Sequence, residues 1–262
     1  WFHQHRPRWE SRALWLLDLV DVGRCFVRGL IRPSRRHEIS HAKNFAHVLK
    51  CRLFRQSLPK FPGRDESTRV APPASRSRVA AVVIGRNEGD RLVRCLASLG
   101  QNVGPVVYVD SGSTDGSLEA ARAAGAEVVE LDLSRPFTAA RARNEGFAAL
   151  GATKGAPPAF VQFIDGDCEL RPDWIETARA FLEHHAEVAV VCGRRRELHP
   201  EASIWNALVD QEWDTPVGET KACGGDALMR CEAFRKVGGF DPSLIAGEEP
   251  ELCVRLRGCG FR

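Results

Sequence analysis

Between Val79 and Cys192 short apolar runs alternate with segments of helical spacing, and few folds satisfy that alternation. Val79-Ala80-Ala81-Val82-Val83-Ile84 reads as a strand, with Gly85-Arg86-Asn87-Glu88-Gly89 as the turn behind it. Leu92, Val93, Cys95, Leu96 and Leu99 then recur at helical intervals, which predicts a helix over 91–99. A second strand is expected over 106–109, an Ala-rich helix over 118–124 ended by Gly125, and a third strand over 127–131. A helix over 137–150, a strand over 160–164, a helix over 172–185 and a strand over 188–192 complete the pattern. Strands and helices spaced in this way form parallel βαβ units. The expected class is therefore α/β, a mostly parallel sheet with helices on both faces.

In such sheets ligands bind beyond the carboxyl ends of the strands, near a switch in strand order. Three strand ends carry polar clusters: Arg86-Asn87-Glu88, Asp110 to Asp115, and Asp165-Gly166-Asp167. The third follows Val161-Gln162-Phe163-Ile164 directly, and Gly166 lets the backbone turn tightly between two carboxylates. One or two carboxylates with substrate phosphates make a hard-oxygen site suited to Mg²⁺ or Mn²⁺. Taken alone, Asp-Gly-Asp reads equally well as an Asx turn capping the next helix. Convergence of three clusters at one sheet edge favours the cation and nucleotide reading, although a βαβ sheet alone names no ligand.

Of 262 residues, 44% are hydrophobic and 27% charged, an ordinary globular balance. The charge is distributed unevenly. Residues 1–78 hold 17 basic and 6 acidic side chains, the remainder 20 basic and 28 acidic. A basic arm beside an acidic domain suits an anionic surface, or water alone. Residues 13–31 are apolar apart from a helical stripe of Asp18, Asp21, Arg24 and Arg28. Those charges argue against a membrane span. They leave a helix lying at a membrane surface, with Trp9 and Trp15 near the headgroups, or one packed on a partner. Pro59, Pro62, Pro72 and Pro73 mark a linker. The expected organisation is a basic helical segment 1–56, a linker 57–78 and an organised domain 79–262. The chain starts at Trp1 and stops inside a helical pattern, so it is read as a fragment truncated at its C-terminal end. Nine cysteines without a C-x-x-C pair indicate neither a zinc knuckle nor a disulfide framework, and suit a reducing cytosol. The eight histidines show no metal-ligand spacing.

The stretches Val-Val-Ile-Gly-Arg-Asn-Glu-Gly, Val-Asp-Ser-Gly-Ser-Thr-Asp-Gly, Ala-Arg-Asn-Glu-Gly (142–146), Phe-Ile-Asp-Gly-Asp and Gly-Glu-Glu-Pro-Glu-Leu-Cys-Val-Arg-Leu-Arg (247–257), in this order, resemble family-2 glycosyltransferases. The resemblance covers about 79–262 and leaves 1–78 unexplained. It implies the A-type, nucleotide-diphospho-sugar transferase fold, which is Rossmann-like, and an inverting reaction dependent on Mn²⁺ or Mg²⁺. By position, Arg86, Asn87 and Glu88 would line the nucleotide pocket and Asp110 would face base and ribose. Ser111 stands where the family often has a second Asp. Asp165 and Asp167 match the family's D-x-D, with Asp167 as direct metal ligand. Arg141 and Arg143 lie beside the nucleotide side, where one of them, Arg143 in particular, would pair with the diphosphate. Glu249 aligns with the catalytic base of a pair that is Glu-Asp in the family and Glu248-Glu249 here. The same glutamates also read as carboxylates favoured at a helix N-terminus, and the two roles are compatible.

On the acceptor side, the segment 221–229 with Gly225 and Asp226 resembles the stretch ahead of the family's Gly-Gly-Phe-Asp turn (238–241). Asp226 reads equally as a turn carboxylate. Arg194-Arg195-Arg196 reads as a solvated charge run before a phosphate site, and Trp205 and Trp213 as packing residues. The expected activity is transfer of a sugar from a nucleotide-diphosphate donor to a hydroxyl of a saccharide or lipid-linked acceptor, in polysaccharide or glycolipid synthesis of the cell envelope. The expected place is the cytoplasm at the inner face of the membrane, with peripheral contact through the basic segment and no nucleic-acid partner. One alternative is a sugar-nucleotide pyrophosphorylase, against which the turn 85–89 is too short for an activation loop. The other is a non-catalytic nucleotide-sugar-binding module.

Overall fold

The computed structural model describes residues 78–262 except 153–155 and 216. The segment 1–56 and the linker up to residue 77 lie outside the described residues, and with them the membrane-surface reading of 13–31. Strands β1 (Val79–Gly85), β2 (Val103–Asp110), β3 (Glu127–Glu130) and β4 (Phe160–Asp165) run parallel to one another. Strand β6 (Ala227–Arg230) runs antiparallel to β4, and β5 (Val190–Cys192) antiparallel to β6. The sheet order is β3-β2-β1-β4-β6-β5. Strand β6 was not anticipated in the sequence, where 221–229 read as an acceptor-side segment. Its four residues are too few to show a period.

Both faces of β1 are buried, which is why it reads as an unbroken apolar run. Val79, Ala81 and Val83 pack with Leu92 and Cys95 of α1 (Asp90–Ser98), Ala121 of α2 (Ser117–Ala123), and Ile175 and Leu182 of α4 (Trp174–His184). Ala80, Val82 and Ile84 pack with Ala140 and Leu150 of α3 (Ala139–Leu150), Phe234 of α6 (Cys231–Lys236) and Leu252 of α7 (Glu248–Gly258). Right-handed crossovers explain this division. The chain steps from β1 to β3 in one direction through α1 and α2, then returns past β1 to β4 through α3, which falls on the opposite face. The reversal between β1 and β4 is the switch point where a ligand crevice is expected. Residues 197–212 group apart from the sheet domain. There the Ser203 hydroxyl accepts the Asn206 N–H at 3.1 Å, at the start of helix α5 (Ile204–Glu212).

Helix α3 seats close on the sheet because it carries Gly146. A Cβ there would stand 2.5 Å from Val82 Cγ1 and 2.8 Å from Val109 Cγ2, both on buried strands that cannot recede. Gly146→Ala gains about 1 kcal/mol of helix propensity against an overpacking cost of roughly 1–3 kcal/mol or more. The clash wins, so the variant should unfold at lower urea concentration with an unchanged m-value. A midpoint equal to or above wild type would contradict the tight seat.

The middle of α3 is tied to the C-terminal region. The Asn144 side chain accepts the Phe240 N–H at 2.9 Å and donates to the Phe240 carbonyl at 2.7 Å. Phe240 joins Phe163 and Phe234 in an aromatic cluster with centroids 5.1–5.4 Å apart. This docking carries α7, and the glutamates at its start, to the ends of β1 and β4. Among the described residues no helix is long and apolar enough to cross a membrane.

Candidate active site

A cavity of about 300 Å³ opens at the carboxyl ends of β1, β2 and β4, lined among others by Arg86, Glu88, Ser111, Phe137, Asp165 and Asp167. Its floor is fixed by two hydrogen bonds from the turns: Gly166 N–H donates to the Ile84 carbonyl at 2.8 Å and Ser111 N–H to the Gly85 carbonyl at 3.1 Å. A side chain at 166 would press on Glu88 and the Ile84 carbonyl, each 3.2 Å from its Cβ, so the residue between the two carboxylates has to be small.

The turn after β1 and the loop after β2 are clamped together. Asn87, at φ 56°, donates its N–H to Ser113 Oγ at 2.9 Å, and its side chain accepts the Thr114 N–H at 2.7 Å. Asp110 is 2% exposed. One carboxylate oxygen accepts the N–H groups of Gly112 (2.8 Å) and Ser113 (2.7 Å), and the other accepts the hydroxyls of Tyr108 (3.0 Å) and Ser113. The expectation that Asp110 faces base and ribose thus meets a carboxylate fully engaged inside its own loop. Its neighbour Ser111 is the residue that lines the cavity. Arg86 does reach the cavity, with its guanidinium 5.7 Å from the Phe137 ring centre. Glu88 lies 2.8 Å from Arg91, and burial pushes its carboxyl above the ordinary value.

The two arginines of α3 have different tasks. Arg141 holds the preceding loop: its Nη1 donates to the carbonyls of Asp132 (3.0 Å) and Arg135 (3.2 Å), and its Nε to Glu145 (2.7 Å). That loop presents Phe137. Arg143 is buried in the cleft, with a side chain 3% exposed. Its Nη2 donates to Asp165 at 2.9 Å and its Nη1 to Glu248 at 2.8 Å, with Glu249 at 3.5 Å. Acids more than 80 residues apart in the chain therefore meet on one guanidinium.

The two glutamates differ in how firmly they are held. Glu248 is 6% exposed, whereas Glu249 is 17% exposed and farther from Arg143. Burial raises the Glu249 carboxyl above the ordinary glutamate value, partly offset by a backbone hydrogen bond and by Arg143. Of the pair, Glu249 is better suited to take a proton.

Asp226 stands behind Asp165 and accepts its backbone N–H at 3.2 Å. Its other oxygen is buried with no hydrogen-bond donor and lies 3.6 Å from Arg195 Nε. Arg195 stacks 4.8 Å from the Trp213 ring centre and Arg194 pairs with Asp214 at 3.2 Å, so two of the three consecutive arginines are engaged rather than solvated. Burial first, and then the charge of Asp165, push the Asp226 carboxyl up to about 6. An unfolded Asp releases its proton near 3.9, so the folded chain binds more protons between those values. Stability contributed by this group falls as pH rises through about 4 to 6. Asp226→Asn should flatten that part of the profile, read by urea unfolding at about pH 4.5 and 6.5; equal slopes in both proteins would refute the assignment.

Asp167 is exposed and lines the cavity, while one oxygen of Asp165 is occupied by Arg143. Among the described residues no group of three or more His, Cys, Asp or Glu side chains could hold a metal by itself. Two carboxylates beside an open cavity nevertheless fit a hard cation whose remaining ligands come from a diphosphate and water.

Comparison with known proteins identifies a family. Residues 80–238 match the family described as glycosyl transferase family 2. The chain is 31% identical over 188 residues to the succinoglycan biosynthesis protein ExoA of Rhizobium meliloti, covering 67% of this chain and 57% of that protein. It is 32% identical over 209 residues to a pre-mycofactocin glycosyltransferase of Mycobacterium tuberculosis, covering 73% and 42%. The chain thus spans about half the length of these curated relatives. Among solved structures it is similar to TarS residues 1–349 of S. aureus at 20% identity and a TM-score of 0.49, covering 68% of this chain and 55% of that one.

Proposed function

The chain belongs to glycosyl transferase family 2, and from that premise we propose that it transfers a sugar from a nucleotide-diphosphate donor to an acceptor hydroxyl with inversion at the anomeric carbon. The observation that supports the reading is the shared guanidinium of Arg143, which draws Asp165 of the cavity lining and Glu249 together. Inversion by in-line displacement needs the leaving diphosphate and the attacking hydroxyl on opposite faces of one sugar carbon. It therefore needs anion-stabilising and proton-accepting groups facing each other.

Asp167 and Asp165 would hold the divalent cation, Mn²⁺ or Mg²⁺. When bound, it stabilises negative charge developing on the diphosphate as the bond to the sugar breaks. Arg86 and Ser111, both in the cavity lining, would face the nucleotide. Glu249 takes the proton of the acceptor hydroxyl, a role usually worth roughly 10²–10⁴-fold. Its raised carboxyl pKa makes it a better base than an exposed glutamate, provided the pH lies above that value. Glu248, paired with Arg143 at 2.8 Å, anchors the helix start. Gly225 and Asp226 border the acceptor side. A polysaccharide or lipid-linked acceptor is the class we assign, and peripheral membrane contact through residues 1–56 belongs to the same proposal.

The test uses the full-length protein with UDP-, GDP- and dTDP-sugars, with and without Mn²⁺. The reading expects thermal stabilisation by one nucleotide class that depends on the cation, followed by release of the nucleoside diphosphate and transfer of labelled sugar. Pyrophosphate exchange in place of transfer would indicate a pyrophosphorylase, and binding without turnover a non-catalytic module.

A further inference from the structure

We propose that Arg143 is a positioning residue: it holds Glu249 over the cleft and keeps it in register with Asp165, rather than binding the donor's diphosphate. The inference rests on the glycosyltransferase reading of the site.

Four observations carry it. The guanidinium is enclosed, and its two terminal nitrogens are committed to Asp165 at 2.9 Å and Glu248 at 2.8 Å, with Glu249 at 3.5 Å. It rests on the Phe240 ring, 5.6 Å from the ring centre, and Phe240 is itself fixed to α3 by Asn144. On its other side is Gly225, where a Cβ would run into Arg143 Nη2 and stand 3.3 Å from Glu249 Oε1. Glu248, buried to 6% exposure, has this guanidinium as its ion-pair partner.

Arg143 lines the cavity and its Nε–H has no hydrogen-bond partner, but a phosphate could take the two terminal nitrogens only by displacing one of these carboxylates. Displacing Glu248 would strand a buried charge, which is costly. Displacing Asp165 would remove the group that faces the cation side. The planar fork is what allows one cation to serve carboxylates in two directions, and an ammonium cannot reproduce it. The guanidinium therefore clamps the start of α7 through Glu248, and the next residue, Glu249, is presented to the cleft at a defined height. Sub-ångström placement of a base matters because misplacement by about 1 Å costs on the order of 10²-fold in rate.

The experiment compares R143K and G225A with wild type in the full-length protein. R143K keeps the charge and loses the fork, while G225A pushes the guanidinium from the opposite side and leaves Arg143 in place. Three readouts are taken: carbodiimide labelling of Glu248 and Glu249 mapped by peptide mass spectrometry, affinity for Mn²⁺ with UDP, GDP or dTDP (whichever stabilises wild type), and turnover with donor KM. Positioning predicts labelling raised at least about fivefold, affinity and donor KM within about threefold, and kcat lowered by roughly 30- to 100-fold in both variants. Nucleotide affinity weakened tenfold or more with labelling unchanged would make Arg143 a diphosphate ligand and overturn the inference. Unchanged labelling with unchanged turnover would overturn it as well. A wild-type protein that binds nucleotide but transfers no sugar would remove the glycosyltransferase reading instead, and the labelling and affinity readouts would still decide what Arg143 does. If R143K does not fold, G225A carries all three.

Discussion

Glu249→Gln is expected to leave cation-dependent nucleotide binding within about threefold of wild type and to lower turnover by roughly 10²–10⁴-fold. The side chains are isosteric, and the amide keeps a carbonyl oxygen to face Arg143 at the 3.5 Å now seen for the carboxylate. What disappears is the ability to accept a proton. Because Glu248 anchors the helix start at 2.8 Å from Arg143, removing the charge at 249 should not displace the backbone. Isothermal titration with the nucleotide and a single-turnover assay with labelled donor separate the two effects. Equal loss of binding and turnover would show that Glu249 is a donor contact and not the base. In wild type the acid limb of the kcat/KM profile should lie above the ordinary glutamate value of 4.5, because burial raises this carboxyl and protonation below the raised value disables it.

Asp167→Asn carries the second large effect, on the opposite side of the reaction. It should abolish the Mn²⁺-dependent part of nucleotide stabilisation and cut turnover by roughly 10²–10³-fold, which corresponds to several kcal/mol of lost charge stabilisation. The fold should be untouched, because Asp167 is exposed and its neighbouring contact is a Cys168 thiol at 3.5 Å. Metal-free unfolding should therefore stay within about 0.5 kcal/mol of wild type. The comparison with Asp165 is instructive. Removing that carboxylate releases Arg143 as well, so its effects would mix cation binding with placement of the base. Full retention of Mn²⁺-dependent stabilisation in Asp167→Asn would exclude Asp167 as the cation ligand.

Much of the architecture could be read before any coordinates. The runs at 79–84 and 160–164 are long, apolar and flanked by Gly or Pro, and they became β1 and β4 with boundaries moved by a residue at most. The helices at 91–99, 118–124 and 172–185 likewise shifted only at their ends, where caps and not periodicity decide. Helix α3 begins at Ala139 rather than at 137 because the Thr138 hydroxyl accepts the Arg141 N–H at 3.1 Å. Other features left no such trace. Strand β6 is four residues between a Gly-Gly pair and a helix, and it is a strand because β4 and β5 each offer it a free edge. Asp110 has the composition of a ligand residue, yet Tyr108 and Ser113 turn it inward. Arg195 and Trp213 look unrelated in the chain, and nothing local marks Arg143 as a partner of carboxylates rather than of a diphosphate.

The linear order of residues was enough to establish the alternation of strands and helices, the acidic turn at 165–167 and the acidic pair at 248–249, because each of these is a local pattern whose period or chemistry is complete within a few residues. Folding alone decided which charges share a site. Arg143 lies 22 residues before Asp165 and 105 before Glu248, and no local rule links those positions. They meet because the reversal of strand order sends α3 across the sheet, and because Asn144 and the phenylalanine cluster dock α7 against it. A buried guanidinium then has to find carboxylates, and the ones within reach are Asp165 at the end of β4 and the glutamates at the start of α7.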